Sequence, residues 1–154
     1  MSQQSKYVKM LRRVLIANAV FSGIFGLIFI FDAAPLAAFM GLEYSLGDNA
    51  NAVLIGLGIA LVLFAAELVV LTSRKELKLK EIYGVILLDV GWVVGSLVLL
   101  FGNVIELSNG GWWMTAILAD IVAVFAGLQY YALRKSQAET PAIDSQLRVR
   151  GSEA

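Results

Sequence analysis

Four long stretches without a charged side chain constrain this fold more than any other feature. Residues 14–31 and 49–66 each run for 18 positions free of Lys, Arg, Asp and Glu, and the second continues past a lone Glu67 to about Thr72. Residues 82–103 are interrupted only by Asp89, and 111–133 only by Asp120. A helix needs about 20 apolar residues to cross a hydrocarbon core of roughly 30 Å. A water-soluble bundle would instead need a charged outer face on every helix, and these segments have none. The sequence predicts an all-α polytopic membrane protein, with four transmembrane helices at about 13–34, 49–72, 82–103 and 111–133 in an antiparallel bundle. Composition agrees. The chain is 59% hydrophobic and 16% charged, against roughly 45 to 50% and about 25% for a soluble domain.

The charges between the spans predict an orientation. Lys6, Lys9, Arg12 and Arg13 precede the first span, Arg74, Lys75, Lys78 and Lys80 join the second to the third, and Arg134, Lys135, Arg148 and Arg150 follow the fourth. These are all 12 basic residues. The other two connections carry Glu43, Asp48 and Glu106 and no basic residue. By the positive-inside rule both termini are expected in the cytoplasm, in a plasma (inner) membrane. Trp112 and Trp113 are then expected at the outer interface, and Tyr83, Tyr130 and Tyr131 near the inner one.

The chain divides into a basic segment (1–12), a four-helix domain (13–135) and a polar tail (136–154) that reads as disordered and cytoplasmic. The first span exceeds the usual h-region of a cleaved signal and lacks a closing A-x-A site, so it reads as a retained anchor. Asp32-Ala33-Ala34-Pro35 is expected to end or kink it, leaving residues 36–42 as a short apolar segment along the outer interface. Residues 15–21 and 86–92 align in pattern, with Asn18 matching Asp89. Either a duplicated hairpin or the common look of apolar helices accounts for that.

At about 100° per residue each span has a distinctive face. Asn18, Ser22, Phe25, Phe29 and Asp32 share one in the first span, and Asn49, Gly56, Ala60 and Glu67 one in the second. Asp89, Ser96 and Asn103 align in the third, flanked by Trp92. Ala116, Asp120, Ala123 and Gly127 align in the fourth. Small residues favour close helix approach and membrane acids normally face a bundle's interior, so the four stripes are expected to converge. Gly91 and Gly95 form a GxxxG pair on the other side of the third span, suited to close packing within the chain or to a homodimer.

Candidate chemistry centres on the acids. An acid at a helix centre costs about 2.5 to 3.5 kcal/mol on insertion scales, comparable with the roughly 4 kcal/mol needed to protonate an ordinary Asp at pH 7. No Lys or Arg lies within a span, so each acid must be protonated, hydrated, or neutralised by a cation or partner chain. Glu67, Asp89 and Asp120, with Asn18, Ser22, Ser96, Gln129 and Trp92 at neighbouring depths, are read in two ways. They form a proton or cation relay, or a site for a cationic amphiphile; alternatively they are neutral acids that fix helix register through hydrogen bonds. Glu67, seven positions from Arg74, is placed to snorkel to the inner surface.

Zero Cys and zero His exclude disulfides, thiolate or imidazole metal sites and His-dependent nucleophiles. No Walker loop, G-x-S-x-G or HExxH motif is present, so no catalytic residue, cofactor or metal is expected. Balanced charge, 12 basic against 12 acidic, argues against nucleic acid. The stretches LIANAVFSGIFGLIFIF, VILLDVGWVVGSLVLL and GLQYYALRK resemble small four-helix bacterial inner-membrane proteins. That resemblance implies the fold and location and carries no activity. In size and helix count the chain is also similar to small multidrug-type exporters, which centre on a Glu in the first helix where this chain has Asn18, and to DoxX-like membrane subunits. Three functions follow as expectations: an accessory or ligand-binding membrane component, a proton-coupled transporter using Asp89 and Asp120, or a lipid- or quinone-binding subunit with Trp92, Phe25 and Phe29 lining a cleft.

Overall fold

The computed structural model describes the backbone of residues 6–152 and the side chains of residues 6–138. Among these every regular element is a helix: α1 (Lys6–Phe31), α2 (Ala33–Met40), α3 (Leu42–Leu46), a 3₁₀ turn (Gly47–Asn49), α4 (Ala50–Ser73), α5 (Leu79–Phe101) and α6 (Asn109–Ser152). Four helices are long and apolar enough to cross a membrane. They coincide with the four uncharged runs.

The breaks have local causes. α1 stops at Phe31 and α2 begins at Ala33, so Pro35 sits in the first turn of a new helix, where its missing N–H is no loss. At Gly41 the backbone turns left-handed (φ 75°) between α2 and α3, and a Cβ there would lie 2.8 Å from the Ser108 amide nitrogen. Gly41→Ala is therefore expected to cost about 2 kcal/mol, from the left-handed penalty alone upward; a thermal melt in detergent would register it. α4 ends where Arg74 turns extended. There Arg12 donates to the Thr72 and Lys75 carbonyls, placing a cation on the negative end of the helix. Ser108 caps α6, its Oγ accepting from the Gly111 N–H at 3.0 Å.

The helix ends differ from the expected spans mainly where charges begin. α1 starts at Lys6 rather than near residue 13, because Lys and Arg are good helix formers and carry the helix past the apolar run. α6 runs on through Ser152, so the backbone of residues 136–152, read from sequence as a disordered tail, is helical. Strong helix formers such as Ala, Gln, Glu, Leu and Arg populate this segment. The side chains of residues 139–152, Arg148 and Arg150 among them, lie outside the described residues, as do residues 1–5 and 153–154 entirely.

α1 packs along α4 on one side and along α6 on the other, and α5 packs along α6. α4 and α5 are successive in sequence, yet they do not pack along each other. The tightest crossing is between α1 and α4. A Cβ on Gly58 would sit 2.6 Å from the Gly26 carbonyl oxygen, and one on Gly26 2.9 Å from that of Gly58. Two apolar clusters mark the ends of the assembly. Leu11, Leu15, Leu68, Ile82, Val85 and Leu133 bring together all four long helices at the Arg74 end. At the other end Ala33, Ala37 and Met40 of α2 pack with Leu42, Leu54 and Leu118. The α5–α6 connection is tied to this cap: Ser108 donates its N–H to Met40 O (2.9 Å) and its hydroxyl to Phe39 O (2.5 Å), and Glu106 N–H donates to Ser45 Oγ (2.8 Å).

Candidate functional site

One helical turn separates Asn18 from Ser22, so both project from the same face of α1. There they meet Asp89 of α5 and Gln129 of α6. Asn18 Nδ2 donates to Asp89 Oδ2 at 2.7 Å, Gln129 Nε2 donates to the same oxygen at 3.0 Å, and Ser22 Oγ donates to Asn18 Oδ1 at 3.2 Å. Asn18 and Gln129 are completely buried, and Ser22 and Asp89 are 3% exposed. This cluster joins three helices across the middle of the molecule. Two acceptor atoms are left over. Gln129 Oε1 is buried with no hydrogen-bond partner, and both bonds to Asp89 fall on Oδ2, leaving Oδ1 without one; Asp89 also lines a cleft.

That cleft exists because α4 and α5 stand apart. Its volume is about 430 Å³. Phe21, Phe25 and Phe29 of α1, Phe64 of α4 and Trp92 of α5 form its walls, and Glu67 and Asp89 are its two charged residues. Phe21 and Phe25 pack with rings tilted 46° and centroids 4.7 Å apart, and Phe125 meets Phe21 edge-on at 5.6 Å. A second cavity of about 480 Å³ continues toward the Ser108 end, sharing Phe29, Leu88, Trp92 and Leu118 with the first. Its lining is apolar apart from Ser96 and Thr115. Leu63 on α4 and Leu87 and Leu88 on α5, at the lips, are 65%, 71% and 57% exposed.

The other residues singled out from sequence fall in different places. Glu67 has an exposed side chain on the cleft wall, and Ser96 is buried beside the second cavity. Asp120 is exposed, on the side of α6 opposite its packed face of Leu118, Ala119, Val122 and Ala126. The expected convergence of all four stripes therefore fails for α6, and it fails for α4 as well, where Asn49, Gly56, Ala60 and Glu67 are all exposed and Ala50, Leu54, Gly58, Ala65 and Leu68 are buried instead. Ala123 and Gly127 are exposed with Asp120, since the packed face of α6 carries Leu118, Ala119, Val122, Ala126 and Gln129.

The packing glycines also differ from those expected. A Cβ at Gly56, Gly91, Gly95 or Gly127 would meet nothing within 4 Å, and Ala60 is exposed on the cleft wall. Gly91 and Gly95 face the second cavity. The close approach within the chain uses Gly26 and Gly58 instead, which sequence reasoning did not single out. No signal in the sequence separated Gly58 from Gly56, because their helix is apolar on every side. Phe21 and Phe64, the remaining aromatic walls, were likewise not anticipated.

Among the described residues no group of three His, Cys, Asp or Glu is placed to hold a metal ion. The arrangement offers a buried carboxylate oxygen and an aromatic, otherwise apolar slot. Comparison with protein-family models, curated proteins and solved structures gives no match to this chain.

Proposed function

We propose that the protein is a four-helix plasma-membrane component, with both termini cytoplasmic, that takes an amphipathic ligand sideways from the bilayer into the cleft between α4 and α5. It performs no covalent chemistry of its own. The observation that carries this reading is the separation of two successive helices over an aromatic cleft with Asp89 in its wall. Apolar clusters occupy the two ends of the assembly, so the open side of the cleft is the one flanked by exposed Leu63, Leu87 and Leu88. That side faces acyl chains when the four helices span a membrane. The volumes suit a small ligand, for which about 300 to 1,000 Å³ is usual. The segregation of basic residues supports the orientation, as do Trp112 and Trp113 at one end and Tyr7, Tyr130 and Tyr131 at the other.

The transporter reading asked Asp89 and Asp120 to share a route. Burial of one and outward exposure of the other work against it.

The test uses the full chain in phosphatidylcholine nanodiscs with Trp112 and Trp113 replaced by Phe, leaving Trp92 as the sole indole. A chain-spin-labelled amphiphile should quench Trp92 saturably. Quenching that grows only linearly with probe, as random lipid collision gives, would sink the proposal. Proton flux into dye-loaded vesicles that is lost in Asp89→Asn would favour the transporter instead.

A further inference from the structure

Resting on the ligand-binding reading, we infer that the ligand is a long-chain amine. Its ammonium head sits between Asp89 and Glu67, and its tail lies along the glycine face of α5 into the second cavity.

The head is assigned by uncompensated negative charge. Both hydrogen bonds to Asp89 fall on Oδ2, and no bond reaches Oδ1. Asp89 lines the cleft together with Glu67. A carboxylate head would add a third negative charge to this space. An ammonium supplies three N–H donors and a positive charge. The cleft has two acids and no base, and no Lys or Arg lies in any of the four uncharged runs to neutralise them. Phe21, Phe25, Phe64 and Trp92 surround the same space, and aromatic faces attract a cation strongly once it has left water.

The tail is assigned by shape. The two cavities share four wall residues, and the second is nearly devoid of polar groups. Gly91 and Gly95 recess its α5 wall, with open space where their side chains would be. A membrane-spanning helix about 10 Å across occupies roughly 2,000 Å³, so cavities of about 430 and 480 Å³ do not seat one. A single alkyl chain is the occupant that fits a narrow, continuous, apolar slot.

The experiment titrates spin-labelled octadecylamine, octadecanol and stearic acid, in neutral nanodiscs, against the Trp92-only protein and its variants. Dividing each result by that of Asp89→Asn cancels differences in membrane partitioning. The amine should half-saturate at a concentration at least tenfold lower relative to Asp89→Asn, with the alcohol changed less than twofold. Glu67→Gln, an exposed substitution that leaves the buried cluster intact, should weaken the amine at least threefold and secures the test if Asp89→Asn melts early. Gly95→Phe should weaken the octadecyl amine at least fivefold and leave decylamine unchanged. Saturable quenching that is equal for amine and alcohol in every variant would overturn the ammonium assignment and leave the ligand-binding reading standing. Absence of saturable quenching with all three probes would remove both. Chain-length indifference in Gly95→Phe would overturn the path of the tail.

Discussion

Replacing Gly58 with leucine is expected to leave no folded monomer. Its Cβ would fall 2.6 Å from the Gly26 carbonyl oxygen, 2.8 Å from Ile30 Cγ1 and 3.0 Å from Phe29 Cβ. Two of these neighbours are a backbone oxygen and a Cβ, which cannot rotate away, so α1 and α4 must part along their whole crossing. Overpacking alone typically costs 1 to 3 kcal/mol, and here the loss extends along the close crossing of two long helices. Gly56→Leu is the control. It lies two residues away on the same helix with nothing within 4 Å of its Cβ, and leucine is about 1 kcal/mol better than glycine in a helix. Size-exclusion chromatography and thermal melts in detergent should show aggregation for the first and an unchanged or higher Tm for the second. Equal behaviour would mean that α1 and α4 do not cross at Gly58.

Asp89→Leu and Asp120→Leu should move stability in opposite directions. The first strips the shared acceptor from Asn18 and Gln129, both fully buried. A buried group left without its partner costs about 1 to 3 kcal/mol, although hydrogen bonds between membrane helices average nearer 0.6 kcal/mol. A net loss of about 2 kcal/mol is expected, a fall of about 6 °C in Tm at this chain length. Asp120 holds nothing: its side chain is exposed on the outer side of α6 and makes no hydrogen bond or ion pair among the described residues. Removing it relieves an acid whose placement at a helix centre costs about 2.5 to 3.5 kcal/mol, so its Tm should hold or rise. A larger fall for Asp120 than for Asp89 would place Asp120, not Asp89, at the packed interface.

These contrasts mark where sequence reasoning reaches and where it stops. The four long helices were legible because hydrocarbon thickness sets a length and forbids charge, and both can be counted along the chain. The depths of Asn18, Ser22, Asp89 and Gln129 were legible for the same reason, since hairpin connections fix height to within a turn. Azimuth was not. A helix that is apolar all round, such as α4, shows no polar face to orient it, and in α6 the stripe of Ala116, Asp120, Ala123 and Gly127 looked inward because small residues and membrane acids often do. Glycine raised the same difficulty. Gly26 and Gly58 close a crossing while Gly91 and Gly95 border a void, and only the partner helix distinguishes the two uses. Phe25, Phe29 and Trp92 were legible as walls of a cleft, but its opening between α4 and α5 was not, because that depends on which helices fail to touch. The α6 extension was hidden by polar composition, which signals departure from the membrane and says little about whether the helix stops.

The order of neighbours has a consequence for biogenesis. During synthesis α1 and α4 are both available before α5 is made, so their glycine crossing can close early. α5 emerges touching its predecessors only at the Arg74 end and at Asn18, because the helix it packs along is α6, the last span to leave the ribosome. Until then the third span waits in lipid carrying Asp89 without Gln129. A nascent chain arrested after Phe101 should therefore be a substrate for membrane quality control even though three of its four spans have been inserted.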